Sequence, residues 1–163
     1  MTNEKILTNE KILLWLEDIP KSVESLIIFA RTMFTVKCVS QLHDFAKIIN
    51  KKPKAIVLDI MLNGVYNLDE LGITEKNVDL DVGYEAGWGV LEYYLRAPNS
   101  DFKNIPVLII SCRTKREKDQ ELLDRLNQQE GAAPITFLEK LGDVDWYEQF
   151  QKWVRQVDMG KIK

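Results

Sequence analysis

The sequence predicts one α/β domain built on a doubly wound parallel sheet. Five short apolar runs, rich in Ile, Val and Leu, recur along the chain, and a stretch of helical periodicity follows each. Strands buried on both faces of a parallel sheet read as continuous apolar runs, because helices cover each face and no side of the strand meets water.

The strands are expected at Ile12–Leu16, Val36–Val39, Ala55–Leu58, Val107–Ile110 and Ile135–Leu138. Val23, Leu26, Ile27 and Ala30 share one face of a first helix, with Pro20 and Ser22 near its start. Leu42, Phe45, Ala46 and Ile49 do the same in a second. Val90, Leu91, Tyr94 and Leu95 mark a third, limited by Pro98, whose ring disfavours helix in the residue before it. Leu122, Leu123 and Leu126 mark a fourth, closing near Gly131, and Trp146, Phe150, Trp153 and Val154 a fifth. Strands alternating with helices argue for right-handed βαβ units.

Residues 1–10 read as a polar tail in which TNEKIL at Thr2–Leu7 repeats at Thr8–Leu13, a repeat too short for a solenoid. Residues 11–158 form the domain, with 62–85 as an inserted loop after the third strand, rich in turn formers and carboxylates. At 163 residues, one domain is the expected count. A net charge of −3 gives no basic nucleic-acid footprint, and no apolar run is long enough to span a bilayer. The N-terminus does not read as a signal peptide. Cys38 and Cys112, far apart and without metal-type spacing, point to reduced thiols and a cytoplasmic protein.

In an open parallel sheet, ligands bind beyond the carboxyl ends of the strands. The first strand stops at Glu17 and Asp18, the third at Asp59, the fourth at Ser111 and the fifth at Lys140. Clustered carboxylates need a cation or a proton. An oxygen-only set open to water suits Mg²⁺, and a carboxylate can act as a nucleophile that forms an aspartyl phosphate. Phosphoryl transfer asks chiefly for positioning and for neutralisation of the equatorial oxygens, which Mg²⁺, Lys140 and the Ser111 hydroxyl are suited to supply. The bland alternatives are helix N-terminal acids for Glu17 and Asp18, a helix cap for Ser111 and a solvated lysine for Lys140.

The segments LLWLEDIP, IVLDIML, IPVLIISCRT and ITFLEKL together resemble the signature segments of CheY-like response-regulator receiver domains, from about Lys11 to about Val157. The resemblance implies a five-stranded flavodoxin-like (βα)5 fold with strand order 2-1-3-4-5. It makes Asp59 the phosphoacceptor, Glu17 and Asp18 the acidic pair holding Mg²⁺ with Asp59, and the backbone carbonyl of Met61, rather than that of Ile60, a further metal ligand. Ser111 matches the switch hydroxyl, Lys140 the family's lysine and Phe137 the aromatic switch position. The implied function is a two-component receiver phosphorylated on Asp59 by a histidine kinase or phosphotransfer protein in a Mg²⁺-dependent reaction. It would signal to an unknown downstream protein through contacts of its own surface, without acting as an enzyme on an outside substrate. No output domain, nucleic acid or membrane is expected, and a homodimer is left open.

The sequence departs from the family pattern at three places. Leu141 stands where proline usually follows the lysine, so a trans bond is expected there. Cys112 replaces the usual Ala or Gly and is expected to narrow access for a phosphodonor, and the 62–85 loop is longer than usual. These departures motivate a second reading, a phosphorylation-independent interaction or dimerisation module. A haloacid-dehalogenase-type phosphatase is disfavoured because Met61 stands where its second carboxylate belongs. His43 reads as a surface residue, Asp79, Asp81 and Glu85 as solvated loop acids, and the aromatics of the fifth helix as its buried stripe.

Overall fold

The computed structural model describes residues 10–62, 67–73, 85–140 and 145–162. β1 (Ile12–Leu16), β2 (Thr35–Val39), β3 (Ala55–Asp59), β4 (Val107–Ser111) and β5 (Ile135–Glu139) form one parallel sheet in the order β2-β1-β3-β4-β5. The expected strands are all present, four of them longer by a residue at one end. The helices between them are α1 (Glu24–Ala30, entered through a 3₁₀ turn at Pro20–Val23), α2 (Leu42–Ile49), α3 (Ala86–Gly89), α4 (Glu117–Asn127) and α5 (Trp146–Asp158).

β1, β3 and β4 are buried along their whole length, as their unbroken apolar runs require, whereas β2 at the sheet edge is half-buried. Alternate residues of one strand still serve different layers. Leu14, Leu16, Ile56 and Leu58 pack under α2, α3 and α4, and Leu13, Trp15, Ala55 and Val57 pack under α1 and α5. Trp15 is fully buried against Phe150 of α5, ring centroids 5.6 Å apart, which explains the aromatic stripe of that helix without a partner. Phe150, Trp153, Val154 and Val157 are its buried residues; Trp146 is only partly covered.

Two regions differ from the sequence expectation. The third helix does not continue as an α-helix: Val90–Leu95 forms a π-helix, and the Arg96 N–H donates to the Leu91 carbonyl at 2.9 Å, five residues back. The wider turn brings Leu95 and Arg96 inward together, and Arg96 is almost fully buried. Its guanidinium donates to the carbonyls of Phe102 (3.2 Å), Ile105 (2.8 Å) and Ala133 (3.1 Å), so carbonyls rather than a carboxylate hold the buried cation, and its Nε has no partner among the described residues. Burial lowers its pKa to about 10, which leaves it charged at neutral pH.

The 62–85 segment is not uniformly a loop. Leu68–Leu71 forms a 3₁₀ turn closed by Gly72 at φ 73°, and Leu62, Leu71 and Ile73 are buried in the α2–α3–α4 core layer. Asp79, Asp81, Leu141 and most of the TNEKIL repeat lie outside the described residues. No described helix is long and apolar enough to cross a membrane.

Candidate functional site

The register of the sheet builds the site. Leu16 pairs with Leu58, Asp59 with Ile110 and Ser111 with Glu139, so Glu17, Asp59, Ser111 and Lys140 all emerge at the same carboxyl edge. The Glu17 N–H still donates to Val39 and the Lys140 N–H to Ser111, at 3.0 and 2.8 Å, so both side chains leave from backbone that the sheet still holds.

Glu17, Asp18 and Asp59 each offer one carboxylate oxygen, and these oxygens lie within 4.8 Å of one another. Glu17 and Asp59 are only 2% and 6% exposed, so the like charges meet little screening water. Burial, followed by the charge of Asp59, raises the Glu17 pKa to about 7, even though Lys140 Nζ lies 3.8 Å from its Oε2 and its Oε1 accepts the Ile19 N–H at 3.1 Å. Burial also raises the Asp59 pKa, against the Met61 N–H, which donates to Oδ1 at 2.9 Å, and the Lys140 charge. Folding has thus assembled a charge excess that a hard cation would relieve. An oxygen-only donor set of three carboxylates fits Mg²⁺.

Ser111 is fully buried, and its Oγ accepts the Arg113 N–H at 3.2 Å, an ST-type turn at the mouth of the β4–α4 loop. Cys112, expected to narrow the entrance, is exposed. The Lys140 side chain is 9% exposed and aimed at Glu17, which disfavours the alternative of a solvated lysine. Asp59, Glu17, Asp18 and Lys140 are brought together, and Ser111 and Phe137 lie on the two strands beside them. His43 is exposed and pairs with Asp44, as a surface residue would. Of the two carbonyls weighed beside Asp59, that of Ile60 accepts the Gly87 N–H at 3.3 Å, whereas that of Met61 has no backbone partner among the described residues.

Three features of the surroundings were not expected from the sequence. A Cβ on Gly87 would lie 2.2 Å from the Asp59 carbonyl oxygen and 2.6 Å from the Ile60 Cα, so the start of α3 presses directly on the backbone that carries Asp59. Phe137 stacks on Trp88 of α3, centroids 6.1 Å apart and planes 13° from parallel, while Lys115 Nζ sits 5.7 Å from its centroid. Finally, Glu85 pairs with Arg116, Lys118 and Arg113, and buried Asp119 binds Arg113 through two hydrogen bonds of 2.6 and 3.1 Å. Burial alone would raise the Asp119 pKa, but its hydrogen bonds from Arg113 and Arg116 hold it down at about 2. This network fixes the loop whose Arg113 N–H donates to Ser111. Only the Asp at the third position of α4 was a readable signal for it.

The strand order and helix placement define the flavodoxin-like class of α/β proteins, with the acidic cluster at the carboxyl edge of the first and third strands. Within that class, the chain has the fold of response-regulator receiver domains. No family model and no curated protein matches the sequence. Solved structures are similar in fold. The receiver domain of a DNA-binding response regulator from Colwellia psychrerythraea 34H is similar at TM-score 0.60 and 17% identity, over 91% of this chain and 98% of that one. A putative response regulator from Chloroflexus aurantiacus J-10-fl is similar at 0.55 and 14%, over 92% and 98%. The receiver domain of a sensor histidine kinase from Pseudomonas aeruginosa PAO1, solved with magnesium in its active-site cleft, is similar at 0.51 and 14%, over 90% and 98%.

Proposed function

We propose that the chain is a two-component receiver whose phosphoacceptor is Asp59, fed by a histidine kinase or phosphotransfer protein and read by protein contact. The observation that carries this is the set of Glu17, Asp18 and Asp59 at the carboxyl edge of the sheet, Glu17 and Asp59 buried, with Lys140 reaching into it. An Asp59 oxygen attacks phosphorus, the new P–O bond forms, and the bond to the donor nitrogen or oxygen breaks with its electron pair leaving on the donor. Glu17, Asp18, Asp59 and the Met61 carbonyl would hold Mg²⁺, which when bound supplies neutralisation of phosphoryl charge. Lys140 brings a second positive charge to the edge, and the Ser111 hydroxyl turns from the Arg113 N–H towards the new phosphoryl oxygens. Phe137, on the strand beside Ser111, carries the change to the surface formed by α4, β5 and α5. The chain turns over only its own aspartyl phosphate and is not an enzyme in the metabolic sense.

The experiment is a beryllofluoride titration followed by two-dimensional amide NMR, with and without Mg²⁺. The expected result is a saturable, Mg²⁺-dependent shift at Asp59, Ser111 and Phe137 that Asp59→Asn abolishes. An unchanged spectrum would sink the reading and leave a phosphate-independent interaction module. The same residues argue for a cytoplasmic setting, where kinases and Mg²⁺ are at hand and Cys38 and Cys112 stay reduced.

A further inference from the structure

We propose that the groove at the opposite, amino-terminal edge of the sheet binds a small amphipathic monoanion, a carboxylate carried on an apolar body. The groove has a volume of about 800 Å³ and lies between the α2–β3 connection, the segment before β4 and the end of α5. That size is in the range of small-molecule sites. It is separated from Asp59 by the length of β3, roughly 15 Å, and the inference does not depend on what Asp59 does.

Both walls are held in place. Buried Arg96 grips the carbonyls of Phe102 and Ile105, which fixes the 101–106 wall from behind. On the other wall, Lys52 adopts φ 55°, a left-handed conformation that glycine normally supplies after a helix, and its N–H donates to Ile49 at 2.9 Å. Lys54 is tied to β1 through its N–H on the Ile12 carbonyl at 2.8 Å. The chain thus places a lysine in the left-handed position on the lip of this groove, where glycine would cost less.

The lining decides the ligand. Phe34, Pro53, Ile105, Pro106 and Val157 provide an apolar floor. Lys11 is paired with Asp158 at 2.9 Å. Of the charges left over, Lys52 and Lys54 outnumber Asp101, and none of the three has a side-chain partner among the described residues. A preformed cleft with an apolar floor and an excess cation at its rim is complementary to an apolar group bearing one negative charge.

The test titrates the full chain with phenylbutyrate, with the uncharged phenylbutanol and the cationic phenylbutylamine as controls, and follows the amide spectrum. Saturable shifts are expected at residues 50–54, 101–106 and 157–162, with at least about tenfold weaker binding of the alcohol and of phenylbutyrate to Lys52→Glu/Lys54→Glu. Both lysines are exposed, so the double variant is expected to keep the wild-type spectrum elsewhere. Asp101→Asn, which removes the competing anion, is expected to tighten binding. Absence of saturable shifts, equal binding of alcohol or amine, or an unweakened double variant would each overturn the proposal. Shifts of the same residues that follow protein concentration without any probe would assign the groove to a second copy of the chain and overturn it as well.

Discussion

Asp59→Asn is expected to stabilise the metal-free chain at alkaline pH, although it removes the proposed phosphoacceptor. The carboxylate oxygens of Glu17, Asp18 and Asp59 crowd within 4.8 Å, and Glu17 and Asp59 are buried. Burial and then the Asp59 charge lift the Glu17 pKa from 4.5 to about 7. A carboxyl whose folded pKa lies above its unfolded value binds more protons when folded. Its contribution to stability is therefore intact below the unfolded value and is lost as pH rises from 4.5 through about 7. Over that window the linkage amounts to about 3 kcal/mol. Burial accounts for the larger share and Asp59 for the next. Two charges about 5 Å apart repel by about 3 kcal/mol at an effective dielectric near 20. Lys140, 3.8 Å from Glu17, offsets part of this. Removing one charge is thus expected to raise unfolding free energy by about 2 kcal/mol at about pH 8. The gain should vanish where both carboxyls are protonated. Urea unfolding with a chelator present, at both pH values, measures it. Mg²⁺ should then stabilise the wild type more than the variant. An equal or lower stability of Asp59→Asn at high pH, or an equal gain at low pH, would refute the electrostatic account of the site.

Three further outcomes follow from the surroundings. Gly87→Ala should cost about 1–3 kcal/mol by overpacking against the Asp59 backbone, where helix propensity alone would predict a gain; urea unfolding gives the sign. Asp119→Asn should cost about 2 kcal/mol at neutral pH, and the gap to wild type should close as pH falls from about 4 through about 2, because a lowered pKa gives stability that is present above the unfolded value and lost below it. A difference constant over that range in acid unfolding would refute the assignment. Trp88, stacked on Phe137, should report the proposed switch: its emission is expected to change when beryllofluoride is added, and Phe137→Leu should remove most of that change.

Much of this arrangement was legible because strand ends are. Apolar runs of strand length stop where the sheet stops, so Glu17, Asp59, Ser111 and Lys140 could be placed at one edge without a structure. Leu71 and Ile73 could not, because single apolar residues among turn formers carry no period, and only the α2–α3–α4 layer shows what buries them. The π-helix was hidden for a related reason: Val90, Leu91 and Leu95 fit an α-helical face equally well, and the widening shows in backbone hydrogen bonds such as Arg96 N–H to Leu91, which the sequence does not display. Arg96 itself defies its residue type, since arginine is rarely buried without a carboxylate. Gly87 left only the weak signal of a glycine at a helix start, and its role depends on how close α3 comes to β3.

The most direct test of the central claim is the intact mass of the chain after incubation with a small acyl-phosphate donor and Mg²⁺, beside Asp59→Asn. The account predicts one added phosphoryl group on the wild type, absent from the variant and absent without Mg²⁺. An unmodified wild type that also fails to bind beryllofluoride, or a variant that still gains the group, would contradict it.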